Sequence, residues 1–237
     1  MNPVIGIIGG MGPLATCDLM SKIIHFTDAK TDQEHIRICV DSNTNIPDRT
    51  EAILHHGKNP VPELVKSALR LEEMGAQLLI MSCNTAHYFY DEVVPYLDVP
   101  FMSMIEETVN YLQAHKVDTA AIFATDGTRN SKVYERALNK RGIKAVYPSE
   151  ENQKVLMSLI YDYVKAGREI TDAAPLQKII DEVRAMGAQK MILGCTELPI
   201  AFEQAGLHKD TVDPTTILAQ HAIQAVGAKV KPSLLIS

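Results

Sequence analysis

Met74-Gly75-Ala76-Gln77-Leu78-Leu79-Ile80-Met81-Ser82-Cys83 and Met186-Gly187-Ala188-Gln189-Lys190-Met191-Ile192-Leu193-Gly194-Cys195 spell one pattern twice, 112 residues apart. In each copy a helix ends at Met-Gly, where glycine takes the left-handed backbone that closes a helix. A short apolar run follows and reads as a strand buried on both faces. The cysteine then leaves the carboxyl end of that strand in a loop, Cys83-Asn84-Thr85 or Cys195-Thr196-Glu197. Any two units of a parallel sheet reuse a helix, a turn and a strand, which is the competing explanation. A cysteine retained at equal spacing favours two related halves.

Outward from the repeat, Val4-Ile5-Gly6-Ile7-Ile8 is a β-branched strand run, followed by the turn Gly9-Gly10-Met11-Gly12-Pro13 and a helix from about Leu14. Further strand candidates are Ile36 to Val40, Ala120 to Ala124 and Ile143 to Val146. Helical patterns fall near 62–74, 86–94, 105–115, 131–141, 151–166, 173–187 and 215–226. This alternation predicts a parallel α/β architecture with helices on both sheet faces and ligand-binding loops at the carboxyl ends of the strands, and the repeat makes it two related α/β halves. The expected division is 1–115 with a return of about 206–237, against 116–205. Ala124-Thr125-Asp126-Gly127-Thr128 is the second half's weaker counterpart of the glycine turn.

Composition excludes several classes. The chain has 237 residues, 46% hydrophobic and 22% charged, with 13 Gly and 12 Pro, which fits a globular fold rather than a disordered or fibrous one. A formal charge of -6, from 23 Lys plus Arg against 29 Asp plus Glu, gives no general attraction to nucleic acid. The sequence shows neither a run of 18 apolar residues nor a signal-peptide pattern, so no membrane association and a cytoplasmic location are expected. The four cysteines, Cys17, Cys39, Cys83 and Cys195, lack the paired spacing of a metal site. The glycine turn does not match G-x-G-x-x-G, and no phosphate-binding P-loop pattern occurs. His55, His56 and His87 form no metal motif, although His87 lies close enough in sequence to Cys83 to influence its proton affinity.

Two matching cysteines suit a reaction that inverts a tetrahedral carbon. One thiolate removes hydrogen from one face while a thiol returns hydrogen to the other, and the roles exchange with substrate handedness. A thiol, with a reference pKa of about 8.5, needs only modest tuning to work in either state near neutrality. Asn84, Thr85 and Thr196 can donate to a carboxylate, and Glu197 can meet an ammonium group. Helix capping accounts equally for Asn84 and Thr85, and a first-turn acidic position accounts for Glu197. The glycine turn either brings backbone amides to a small anion or serves packing alone.

Taken together, Gly9-Gly10-Met11-Gly12-Pro13, Ile46-Pro47-Asp48-Arg49-Thr50, Cys83-Asn84-Thr85-Ala86-His87, Ser103-Met104-Ile105-Glu106-Glu107, Gly127-Thr128 and Gly194-Cys195-Thr196-Glu197 resemble the cofactor-independent aspartate/glutamate racemase family, in its aspartate racemase branch. The resemblance spans nearly the whole chain and implies two pseudo-symmetric three-layer α/β/α domains with mainly parallel sheets and an active-site cleft between them. It implies interconversion of L-aspartate and D-aspartate, with L-glutamate and D-glutamate as alternative substrates, no pyridoxal phosphate, nucleotide or metal, and a homodimer. It assigns catalysis to Cys83 and Cys195, the side-chain carboxylate to Arg49, and added positive charge to Lys154. It places Gly10, Met11, Asn84, Thr85, Thr125, Thr128, Thr196 and Glu197 around the substrate. It also implies that Cys83 takes the proton from the D-isomer and Cys195 from the L-isomer. Hydantoin, maleate or arylmalonate chemistry, and a non-catalytic two-lobed binding protein, are the alternatives.

Overall fold

The computed structural model describes residues 3–236. The chain forms two compact units, one that runs to Glu107 and resumes at Thr215, and a second, Thr108–Pro214. The division falls inside a helix, Met104–Ala114, whose first turn belongs to the first unit and the rest to the second, rather than after residue 115. The return begins at Thr215 rather than near 206, because the strand Thr211–Val212 still pairs within the second sheet.

The first unit contains β1 (Val4–Gly9), α1 (Pro13–Phe26), β2 (Arg37–Ser42), α2 (Arg49–Leu54), α3 (Val61–Glu73), β3 (Leu78–Met81), α4 (Tyr90–Val93), the start of α5 (Met104–Ala114) and most of the last helix, α11 (Pro214–Ala225). Its strands are parallel in the order β2-β1-β3, and a bridge from Leu79 to Phe101 extends the edge. Successive side chains of a strand point to opposite faces, and β1 is buried along its whole length. Ile5 and Ile7 pack with Leu19 and Ile23 of α1 and Leu218, Ala222 and Ile223 of α11. Val4 and Ile8 pack with Leu64, Ala68 and Leu71 of α3. The result is helix, sheet, helix, with each buried Leu or Ile contributing about 1.5–3 kcal/mol. Gly6 permits the close approach, since a Cβ there would lie 2.7 Å from Leu79 Cδ2 and 2.9 Å from Ala76 Cβ.

The second unit contains β4 (Thr119–Phe123), α6 (Asp126–Ser131), α7 (Val133–Lys140), β5 (Lys144–Val146), α8 (Glu150–Ser158), a π-helical segment Leu159–Val164, α9 (Ala174–Ala185), β6 (Lys190–Leu193), α10 (Leu198–Gln204) and β7 (Thr211–Val212). These strands are also parallel, in the order β5-β4-β6-β7. Ala121, Phe123, Met191 and Leu193 form one face, covered by Leu156 of α8, Ile179 and Val183 of α9, and Ala201 and Phe202 of α10. Ala120, Ile122 and Ile192, of the opposite parity, are buried too.

The pattern Met-Gly-Ala-Gln has a local physical explanation in both units. Gly75 and Gly187 sit at φ +90° and +91°. Their N–H groups donate to Glu72 and Arg184, and the following alanines donate back to Leu71 and Val183, which closes each helix. Gln77 then pins β1, its N–H on the Val4 carbonyl (2.9 Å) and its Oε1 accepting from the Val4 N–H (3.3 Å). Gln189 does the same to β4, with its N–H on the Thr119 carbonyl and its Oε1 accepting from Asp118 (2.6 Å) and Thr119 (3.1 Å). None of this requires a cysteine.

Three helical expectations change in detail. The segment 86–94 is a 3₁₀ turn, Thr85–Phe89, followed by the single turn α4. The helix expected over 131–141 is α7 alone, set off from the preceding α6 by Lys132 at φ +55°. The stretch 151–166 begins as α8 and widens into the π-helical segment. No helix of the described residues is long and apolar enough to cross a membrane.

Candidate active site

Each unit gathers its candidate residues at the carboxyl ends of its strands, where a parallel α/β sheet opens its loops. In the first unit the chain leaves β3 through Ser82, whose N–H donates to the Ile8 carbonyl, and then reaches Cys83. Cys83 is buried and joins an apolar cluster with Met11 of the glycine turn and Ile46 of the loop before α2. Thr16 ties the turn to the cysteine loop. Its hydroxyl donates to the Gly12 carbonyl (3.0 Å), accepts the Gly10 N–H (2.9 Å) and lies 3.0 Å from Ser82 Oγ. Gly10 stands at φ +87°, where a Cβ would come 2.4 Å from the Asn43 backbone. Sequence reasoning misses Thr16, because a lone threonine in a helix carries no motif.

Arg49 opens α2 and folds over the same region. Its Nη1 donates to the carbonyls of Ile46 (3.3 Å) and Pro47 (3.0 Å), and its Nη2 to Met11 (3.5 Å). Its Nε is buried without a hydrogen-bond partner, and no described carboxylate pairs with the guanidinium. Asp48, its neighbour, instead caps α2 by accepting the Glu51 N–H (2.8 Å).

His87 is a strut. Nδ1 donates to the Cys83 carbonyl (2.8 Å) and Nε2 accepts the N–H of Met104 at the start of α5 (3.0 Å). This pattern requires the neutral ring, and burial lowers its pKa to about 4, opposed only by the Cys83 hydrogen bond. The ring therefore touches the cysteine's backbone carbonyl rather than its sulfur, and its contact with Cys83 is one of positioning. Asn84 is buried and makes no side-chain capping bond, so capping does not account for it.

In the second unit Gly194 takes the place of Ser82 and donates its N–H to the Phe123 carbonyl (2.7 Å). A Cβ there would press on Ala124 Cβ at 3.2 Å. The Cys195 thiol that follows donates to Glu197 Oε2 (2.9 Å), which also accepts from Thr196 Oγ1 (3.0 Å). Glu197 Oε1 lies 3.7 Å from Lys165 Nζ, just past the π-helical segment, and that ammonium stands 4.5 Å over the Tyr161 ring. Burial pushes the Cys195 thiol well up, Glu197 pushes it further, and Lys165 opposes the rise. Glu197 is the N-cap residue of α10 but makes no capping bond, since its carboxylate serves the thiol instead.

Thr125 and Thr128 lie at the end of β4. Thr125 caps α6 by accepting the Thr128 N–H (3.3 Å), and their hydroxyls are 3.2 Å apart. Gln153 braces this loop by donating to the Ala124 carbonyl (2.9 Å) and Asp126 (2.8 Å). Lys154, the next residue, is exposed and makes no ion pair among the described residues. With Ser158, Tyr163 and Asp172 it lines a hollow of about 380 Å³ that includes neither Cys195 nor Thr125. The cation that the structure brings to the second thiol is Lys165, a solitary lysine with no motif around it to mark it in the sequence. The described residues include no cluster of three or more His, Cys, Asp or Glu able to hold a metal.

Two parallel sheets, β2-β1-β3 matched by β5-β4-β6 with β7 added at its edge, each with a cysteine two residues beyond the last paired residue of β3 or β6, define the class. The family profile for Asp/Glu/hydantoin racemases matches residues 8–222, and the chain belongs to that family. The aspartate racemase of Picrophilus torridus superposes with a TM-score of 0.85 at 29% identity, over 98% of both chains. The broad-specificity amino-acid racemase of Bacillus subtilis is 24% identical over 93% of this chain and 96% of its own. A glutamate racemase of Francisella tularensis, solved with D-glutamate, shares the fold at a TM-score of 0.68 and 17% identity, covering all of this chain and 84% of its own.

Proposed function

We propose that the protein is an aspartate racemase that works without pyridoxal phosphate, with Cys83 and Cys195 as its two acid/base groups. The observation that carries this reading is the equivalence of the thiols: each follows a residue whose N–H is bonded to the end of its sheet's central strand, Ile8 for Ser82 and Phe123 for Gly194. In one direction a thiolate takes the α-proton from one face and the other thiol gives a proton to the opposite face; in the return direction they exchange roles. We assign the D-isomer's proton to Cys83 and the L-isomer's to Cys195.

The α-proton of an amino acid is weakly acidic, so developing negative charge must be met by fixed donors. Asn84, Thr85 and Thr196 supply hydroxyl and amide donors on the loops that carry the thiols, and Thr125 and Thr128 supply hydroxyls at the end of β4. Arg49 supports an acidic side chain. A buried guanidinium N–H without a partner, in a cation without a carboxylate, is relieved by an anionic ligand. Lys165 adds positive charge beside Cys195. A homodimer is part of the same proposal.

The deciding experiment follows L-aspartate in deuterated water with protein freed of pyridoxal phosphate. D-aspartate carrying α-deuterium is the expected product. Absence of both exchange and inversion from a folded protein removes the assignment. The similarity to a broad-specificity racemase supports a second reading, turnover of several amino acids. Comparison of kcat/KM for aspartate, glutamate and a neutral amino acid separates the two.

A further inference from the structure

The two thiols are held differently. Cys195 Sγ–H points to a carboxylate at 2.9 Å, whereas the ring beside Cys83 binds that residue's backbone carbonyl. We propose that Glu197 is a positioning residue that keeps Cys195 in its thiol form, so that the free enzyme rests with Cys195 as the acid of the pair. This rests on the racemase reading and deepens it, because it fixes which substrate isomer meets the resting enzyme.

The geometry supports a dedicated role for the carboxylate. Glu197 Oε2 already accepts from the thiol and from Thr196 Oγ1, and Oε1 lies 3.7 Å from Lys165 Nζ. An anion next to a buried thiol disfavours the thiolate by charge repulsion and stabilises the thiol by accepting its proton in a hydrogen bond. The charged groups acting on the thiol are Glu197 from its own loop and Lys165 from the end of the π-helical segment. The residues packed around it from α8, α9 and α10 are apolar, among them Leu156, Ile180, Leu198 and Phe202. Glu197 and Lys165 therefore act on the thiol in opposite senses, and Glu197 contacts the sulfur directly at 2.9 Å.

A resting Cys195 thiol is ready to donate a proton. By the assignment above, the resting enzyme accepts the D-isomer directly, while the L-isomer needs Cys195 ionised first. The two enantiomers have equal free energy, so kcat/KM is bound to be equal in the two directions. The asymmetry must appear in kcat and KM taken separately.

The test reads the thiol itself, without substrate. Wild type, Glu197→Gln and Lys165→Met are alkylated with iodoacetamide across a pH series, and the extent at each cysteine is read from its peptide by mass spectrometry. Glu197→Gln is expected to lower the Cys195 midpoint by about 1 unit or more. Lys165→Met is expected to raise it, and Cys83 serves as the internal reference. Glu197→Asp, which keeps the charge but draws it back, is expected to give a smaller downward shift and stands in if the glutamine variant does not fold. An unchanged Cys195 midpoint in the folded glutamine variant overturns the proposal. A shifted midpoint in a wild-type protein that racemises nothing supports the thiol assignment and refutes the racemase reading, so the two failures are distinct. In an active enzyme, Glu197→Gln is expected to change the ratio of kcat for L- and D-aspartate, which a purely structural contact would leave in place.

Discussion

The loops after β3 and β6 begin alike and end differently. Both leave a buried strand through a residue hydrogen-bonded to the central strand, and both then present a cysteine. Beyond that point the first loop is gripped through its backbone by a neutral histidine, and the second through its thiol by a carboxylate. The contrast teaches that a duplicated fold places two thiols equivalently within their units, while single side chains two to four residues further on decide whether the backbone or the thiol of each loop is gripped.

The largest effect that breaks this pairing is loss of either sulfur. Cys83→Ala and Cys195→Ala are each expected to lower kcat by about 10³-fold or more while preserving the fold, since proton transfer by a positioned group contributes about 10²–10⁴-fold. Racemisation rates with thermal melts as controls check this, and unaltered turnover in either variant refutes the two-base pairing. Next is the strut of the first loop. His87→Ala removes the ring's bonds to Cys83 and Met104 and is expected to destabilise the protein by about 2–4 kcal/mol, measured by denaturant unfolding.

His87 also makes the first unit sensitive to acid. Its folded pKa of about 4 lies below the ordinary histidine value, so the unfolded chain binds more protons between the two. The stability of the neutral ring is complete above about pH 6.5 and is lost as pH falls toward 4, on the order of 3 kcal/mol in all. Urea midpoints across this window should fall more steeply for wild type than for His87→Gln. A smaller effect sharpens the substrate side. Arg49→Lys is expected to raise KM for aspartate about tenfold or more by replacing a planar fork with a point charge. The smallest compares the strand pins: Gln77→Ala and Gln189→Ala, both exposed, should each cost about 1 kcal/mol.

Much of this is legible in the sequence where the signal is local. The strands from Val4, Leu78 and Lys190 are short apolar runs bounded by glycine turns, and the structure keeps them nearly as read. Met-Gly-Ala-Gln marks the two halves, although its cause is a helix stop and a glutamine pin rather than chemistry. Helices α2 and α10 and the two-residue β7 escape notice because they are too short to show a period. Thr16, Gln153 and Lys165 escape for another reason: what each does depends on a partner distant in sequence, as with Lys165 and Glu197 or Thr16 and Ser82. Arg49 is a middle case, its residue type telling but its grip on the Met11 carbonyl visible only in the fold.

The return of α11 to the first unit also sets an order of events during synthesis. The second unit is one continuous stretch, complete once Pro214 has emerged, whereas the first begins with β1 and lacks a wall until the last helix arrives. Until then Ile5, Ile7, Leu78 and Ile80 have no Leu218, Ala222 and Ile223 to cover them. The part of the protein made first is therefore finished last, and a chain stalled before Thr215 exposes a strip of apolar sheet for chaperones to shield or for other chains to join.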